Sequence, residues 1–147
     1  MTQTIAQQIN WDFGANGSLE IKNKNGKRIY IEISDEFWVK REYNSEGKEM
    51  YYENSDGFWA KSEYNSGGNE TYYENSSGYW SKWEYDFEGD IIYFEDSKGY
   101  WAKREYDSKG DIIYFEDSDG EIIDNRPKPS EDKVVEIDGQ KYKLTKL

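Results

Sequence analysis

The sequence predicts an all-β protein: an antiparallel meander of 21-residue two-stranded repeats forming a single-layer or curved sheet, with a closed barrel or spiral as the alternative. Three observations predict it. Trp38, Trp59, Trp80 and Trp101 are spaced by 21 residues, as are Tyr43, Tyr64, Tyr85 and Tyr106, and Gly47, Gly68, Gly89 and Gly110. Each unit holds two runs of aromatic and β-branched residues interleaved with charges, which is strand composition. Both runs end in Asn or Asp, usually Ser, any residue, then Gly. Asn or Asp accepts a backbone hydrogen bond at the first turn position, and Gly supplies the positive φ that closes a type I turn with a bulge.

In chain order, residues 1–13 form an N-terminal arm or short helix. The β-hairpin repeat domain spans 14–124. Its first copy, 14–34, is degenerate, with Gly17 where the tryptophan belongs; copies 35–55, 56–76, 77–97 and 98–118 follow, and 119–124 is a truncated last copy. Atypical end copies are what capping of a repeat stack requires. Residues 125–132 form a proline-containing linker, since Pro127 and Pro129 stop any strand. Residues 133–147 read as a C-terminal β-hairpin with an Asp138-Gly139 turn.

The odd period imposes a constraint. Side chains alternate faces along a strand, so an odd repeat with identical turns would put successive tryptophans on opposite faces. Either the two turns differ by one residue, or one bulge per repeat absorbs the difference. On the first strand of each unit, Trp, Lys and Glu share a face, opposite Val/Ala/Ser and Arg/Ser/Trp. On the second, the adjacent aromatics (Tyr51-Tyr52, Tyr72-Tyr73, Tyr93-Phe94, Tyr114-Phe115) point to opposite faces. Residues 35–118 carry 22 of the 26 aromatic residues and only six of the 21 Ile, Leu, Val and Met, which suits a thin sheet better than a two-layer core.

Composition removes many function classes. The 147-residue chain has no histidine and no cysteine. Disulfides, thiolate nucleophiles, Ser-His systems, zinc sites with sulfur ligands and iron–sulfur clusters are thereby excluded. A formal charge of −12 argues against direct binding to nucleic acid. No apolar run approaches a membrane span and the first residues do not read as a signal peptide, so a cytoplasmic protein of bacterial or phage origin is expected.

The unit Tyr106-Asp107-Ser108-Lys109-Gly110, with Gly120 ten residues on, resembles the YD repeat of Rhs-type proteins, and Tyr85-Asp86-Phe87-Glu88-Gly89 fits the same pattern. Tyr43 and Tyr64 are followed by Asn instead. The resemblance covers roughly residues 35–120 and implies strand and turn; four or five copies are too few to enclose a cargo as large Rhs shells do. The stretch Tyr72-Tyr73-Glu74-Asn75-Ser76-Ser77-Gly78-Tyr79-Trp80 is similar to choline-binding cell-wall repeats and to MORN-like repeats. None of these resemblances brings a catalytic motif.

No enzyme is expected, because each carboxylate belongs to a row repeated four times and active sites are seldom so duplicated. No cofactor or metal site is expected either: aligning Gly120 with the glycine of an EF-hand calcium loop puts Phe115 and Arg126 at ligand positions. Residues 35–118 hold 9 Lys and Arg against 21 Asp and Glu, so the whole net charge sits on the repeats. Solubility and protection of sheet edges explain part of this. Electrostatic capture of a basic partner explains it more sharply, with aromatic anchors for affinity and carboxylate rows for steering. The sequence therefore points to a non-enzymatic interaction protein that binds a partner protein with a basic surface. A specific form is an inhibitor or nucleic-acid mimic acting on a nucleic-acid-binding enzyme. The expected partner-binding residues are Trp38, Trp59, Trp80 and Trp101, with Glu42, Glu63, Glu84 and Glu105 and with Glu53, Glu74, Glu95 and Glu116. The alternative is a carbohydrate or cell-wall ligand-binding repeat module, in which the rings stack on sugars. Oligomeric state has no signature in the sequence.

Overall fold

A computed structural model describes residues 3–128 and 134–143. Two short helices, α1 (Ile5–Ile9) and α2 (Phe13–Asn16), precede eleven strands: β1 (Leu19–Lys22), β2 (Arg28–Ser34), β3 (Phe37–Tyr43), β4 (Glu49–Asn54), β5 (Trp59–Tyr64), β6 (Glu70–Asn75), β7 (Trp80–Tyr85), β8 (Ile91–Asp96), β9 (Trp101–Tyr106), β10 (Ile112–Asp117) and β11 (Ile122–Asp124). These form one antiparallel sheet in sequential order, open at both ends and not closed into a barrel. A separate two-stranded sheet pairs β12 (Val134–Ile137) with β13 (Gln140–Lys143). Of the linker and C-terminal hairpin read from the sequence, residues 129–133 and 144–147 lie outside the described residues. Among the described residues no helix is long and apolar enough to cross a membrane.

The odd period is resolved by a bulge. Both turns of a unit have the same geometry: Gly57 donates to Asn54 O and Asn54 to Phe58 O, just as Gly47 donates to Asn44 O and Asn44 to Lys48 O. Asn54 Oδ1 also accepts from Asp56 and Phe58, and Asn44 Oδ1 from Glu46 and Lys48. The compensating residue lies in the strand. Tyr43 pairs with Glu49 but Glu42 pairs with Tyr51, leaving Met50 unpaired. Thr71, Ile92 and Ile113 are the unpaired residues of the next three copies. One extra residue per 21 restores even parity, and Trp38, Trp59, Trp80 and Trp101 all lie on the same face.

One side chain ties neighbouring copies together and another closes each copy on itself. The hydroxyl of Tyr64 donates to Glu49 O, that of Tyr85 to Glu70 O and that of Tyr106 to Ile91 O, at 2.7–3.0 Å. The serine that closes each unit accepts from the tryptophan N–H that opens its strand: Ser76 from Trp59, Ser97 from Trp80 and Ser118 from Trp101. These are the physical reasons for the invariant Tyr and Ser of the period, since each satisfies a backbone group at a strand end.

The core is thin. Among the described residues, Ala6, Leu19, Val39 and Ala102 are the buried hydrophobics. The face opposite the tryptophans seals small residues beneath cross-strand rings. Tyr52 meets Phe58, Tyr73 meets Tyr79, and Phe94 lies between Trp83 and Tyr100, with centroids 5.6–6.2 Å apart. Arg41 lies over Tyr52 and Arg104 over Phe115. Such pairs substitute for the aliphatic layer that the repeats lack.

Candidate functional site

All twelve residues expected to bind a partner lie on one face. Lys40 pairs with Glu53 and Glu53 with Trp59; Lys61 pairs with Glu74 and Glu74 with Trp80; Lys82 pairs with Glu95 and Glu95 with Trp101. Directly paired residues share a face, as do residues two apart on a strand, so the register carries Trp38, Glu42, Glu63, Glu84, Glu105 and Glu116 to that side as well. Diagonal rows result. One runs Glu42, Tyr51, Lys61, Glu74, Trp80 across β3 to β7.

The two carboxylate rows, alike in sequence, differ in the structure. Glu53, Glu74, Glu95 and Glu116 are half-buried. Tyr72, Tyr93 and Tyr114 hydroxyls donate to Glu74, Glu95 and Glu116 Oε2 at 2.8–3.1 Å. Lys61 and Lys82 ion-pair with the other oxygen of Glu74 and Glu95 at 3.4 and 3.3 Å. The tyrosine hydroxyls are accordingly pushed above their ordinary range, Tyr72 and Tyr93 by burial first and then by the hydrogen-bonded Glu, Tyr114 chiefly by Glu116. Glu42, Glu63, Glu84 and Glu105 are exposed. Glu42 is met by Lys40 at 2.8 Å and Glu105 by Arg126 at 3.3 Å, whereas Glu63 and Glu84 form no ion pair among the described residues. Within the exposed row, the carboxylates without an ion pair are thus the two central ones.

The tryptophans are half-buried, and Lys61, Lys82 and Lys103 lie over the Trp59, Trp80 and Trp101 rings at 5.1–5.2 Å. At the C-terminal end Arg126 stacks on Tyr114 at 4.1 Å and binds Asp124 through two nitrogens, holding that carboxyl down to about 2.

The residue pattern pointed to Trp and Glu but missed the tyrosines and lysines between them. The signal was present, because Tyr-x-Glu places two side chains on one strand face. It also missed Glu32, the first-copy member of the inner carboxylate row. Helix α1 sits there. Ala6 N–H donates to Glu32 Oε2 at 2.9 Å, and Glu32 is fully buried. Shallow depressions lie elsewhere on the same face. One of ≈ 530 Å³ is lined by Met50, Tyr51, Lys61 and Glu63, and one of ≈ 360 Å³ by Ile92, Tyr93, Lys103 and Glu105. No cluster of three or more potential metal ligands occurs among the described residues.

Neither a protein-family profile nor a curated protein matches the chain. Among solved structures, the chain is similar to part of the Tc holotoxin pore of Photorhabdus luminescens, at 13% identity and a TM-score of 0.51. That match covers 69% of this chain and 5% of the toxin chain. It shows a shared repeat-hairpin fold.

Proposed function

We propose that the tryptophan face is a docking surface for a partner protein with a basic patch, and that the units from 35 to 118 are short YD-type repeats serving as its scaffold. The observation that carries this reading is the row of exposed carboxylates. Glu63 and Glu84, unpaired among the described residues, stand beside half-buried rings in copies whose equivalent positions are about 9.6 Å apart across two strands. Unpaired surface charge steers association, and adjoining aromatic surface supplies the contact that slows dissociation. The spacing does not reproduce duplex DNA, with a charge per ~1.7 Å of axis, so capture of a basic protein is favoured over close imitation of nucleic acid. The lysines over the Trp rings weigh against sugar stacking, because they take up ring face that a sugar needs.

The test is capture of partners from host lysate at low and high salt, followed by kinetics on the purified pair. Glu63→Lys with Glu84→Lys is expected to slow association at least tenfold at low salt and to flatten its salt dependence. Trp80→Ala is expected to raise the dissociation rate. Binding that survives molar salt, or that ignores both charge reversals, refutes the reading.

A further inference from the structure

The first copy displays an occupied version of a site that later copies leave open. Helix α1 begins at a capping box, in which Thr4 accepts from Gln7 N–H and the Gln7 side chain accepts from Thr4 N–H. Its first turn is read by the sheet. Ala6 N–H donates to Glu32 Oε2, and the Tyr30 hydroxyl donates to that same oxygen at 2.9 Å. Ala6 is 1% exposed, so a larger side chain has no room there. Ile5 lies in a depression lined by Ile29, Tyr30, Lys40 and Glu42.

The open depressions repeat those residues at the period of the fold. Adding one period to Ile29, Tyr30, Lys40 and Glu42 gives Met50, Tyr51, Lys61 and Glu63; adding three periods gives Ile92, Tyr93, Lys103 and Glu105. Each open site keeps the reading pair: Tyr93 is hydrogen-bonded to Glu95, and Tyr51 stands two residues from Glu53 on the same strand face, its hydroxyl pushed up by burial and then by Glu53. In the Glu95 pair, Lys82 occupies Oε1, while Oε2 takes only the tyrosine hydroxyl and retains a lone pair for a backbone N–H. Two differences separate the copies: Ile21 lines the first depression where Glu42 and Glu84 line the open ones, and the residue opposite the inner Glu changes. Leu19 stands opposite Glu32, whereas Lys40 and Lys82 stand opposite Glu53 and Glu95.

We infer that the depressions at Tyr51/Glu53 and Tyr93/Glu95 bind the first turn of a partner's helix, one that carries a Ser or Thr cap, then a branched apolar residue, then alanine. The apolar residue enters the depression, the alanine lies against the Glu, and its N–H goes to the free Oε2 lone pair. This uses the face of the proposed function but rests on the geometry of the first copy and not on charge, so the two readings fail separately.

The probe is a terminally blocked peptide of residues 3–10, which has no charged and no aromatic side chain. It is titrated into the full-length ¹⁵N-labelled protein, with the tryptophan indole N–H signals as reporters. Trp59 and Trp101 are expected to shift saturably, weakly because a short helix must be ordered on docking, and with no salt dependence. Tyr93→Phe with Glu95→Gln should remove the Trp101 response and leave that of Trp59. Lys82→Leu with Glu84→Ile, which copies Leu19 and Ile21 of the first copy, should tighten the Trp101 site at least threefold. A peptide with Ala6→Leu should not bind. No shift, a shift confined to Trp38 through exchange with the protein's own helix, or equal binding of the Ala6→Leu peptide overturns the inference.

Discussion

At the scale of single residues, the hydroxyl of the repeated tyrosine is the strongest local reason for the period. Tyr85 is half-buried, and its hydroxyl reaches Glu70 O at 2.7 Å across the copy boundary. Tyr85→Phe keeps the ring and strands the carbonyl. Its expected cost is about 0.5–1.5 kcal/mol in chemical denaturation, with the strand content by circular dichroism unchanged. Tyr30 makes a different prediction. Burial, then the hydrogen bond to Glu32, pushes its hydroxyl up to about 12 from an ordinary 10. A group whose pKa is raised on folding stabilises the fold fully below its unfolded value and loses that contribution as pH climbs through the folded value. The stability difference between the wild type and Tyr30→Phe should therefore be constant below pH 10 and shrink between pH 10 and 12. A gap that instead widens with rising pH would show that the hydroxyl is not held by Glu32.

At the scale of elements, the bulge decides which face each tryptophan occupies. Deleting Thr71, the unpaired residue of β6, removes the parity correction for every later copy. Trp80 and Trp101 would then have to leave the face held by Trp38 and Trp59, or β6 and β7 would lose their pairing. The deletion is expected to abolish cooperative unfolding, whereas Thr71→Ala, which keeps the backbone count, should cost under about 1 kcal/mol. Much of this element structure was legible beforehand. Alternation fixed which residues share a face, and Asn/Asp with Gly fixed the turns. The existence of a compensating residue followed from the arithmetic of 21, but its place did not, because Met50, Thr71, Ile92 and Ile113 look like ordinary strand residues. The division of the carboxylates into tethered and free rows was equally hidden, since it depends on which strand lies next door. Helix α1 on Glu32 left two traces, Leu19 where later copies carry lysine and Ile21 where they carry glutamate, and only the pairing of β1 with β2 gives them a meaning.

At the scale of the whole molecule, a sheet held by contacts between adjacent strands behaves as a one-dimensional array, whose stability is a sum of unit and neighbour contributions. The accessible surface of 11028 Å² exceeds the about 7,900 Å² typical of a compact monomer of this mass, as a thin sheet requires. Removing residues 56–76 excises one complete period, including its bulge, both turns and one Tyr-to-carbonyl bond. The new junction joins Ser55 to Ser77, which preserves the Asn-Ser-x-Gly turn, with Asn54 and Gly78 in their usual roles. Face parity is unchanged, because a full period returns each side chain to its own side. The shortened chain should therefore fold, with the same circular dichroism signal per residue and a smaller denaturant slope, since the slope follows the surface exposed on unfolding. It should also melt at a lower temperature, having lost one unit and one neighbour contact while keeping both ends. Excising only the half-unit from 58 to 68 keeps the Asn54–Gly57 turn but sets β6 where β5 belongs, losing Trp59 opposite Glu53 and the Tyr64 hydroxyl bond and putting every later strand out of its alternating place. That variant should fail to fold. If the two deletions are equally well tolerated, the 21-residue unit is not the element of stability, and the sheet is held instead by contacts that ignore the period.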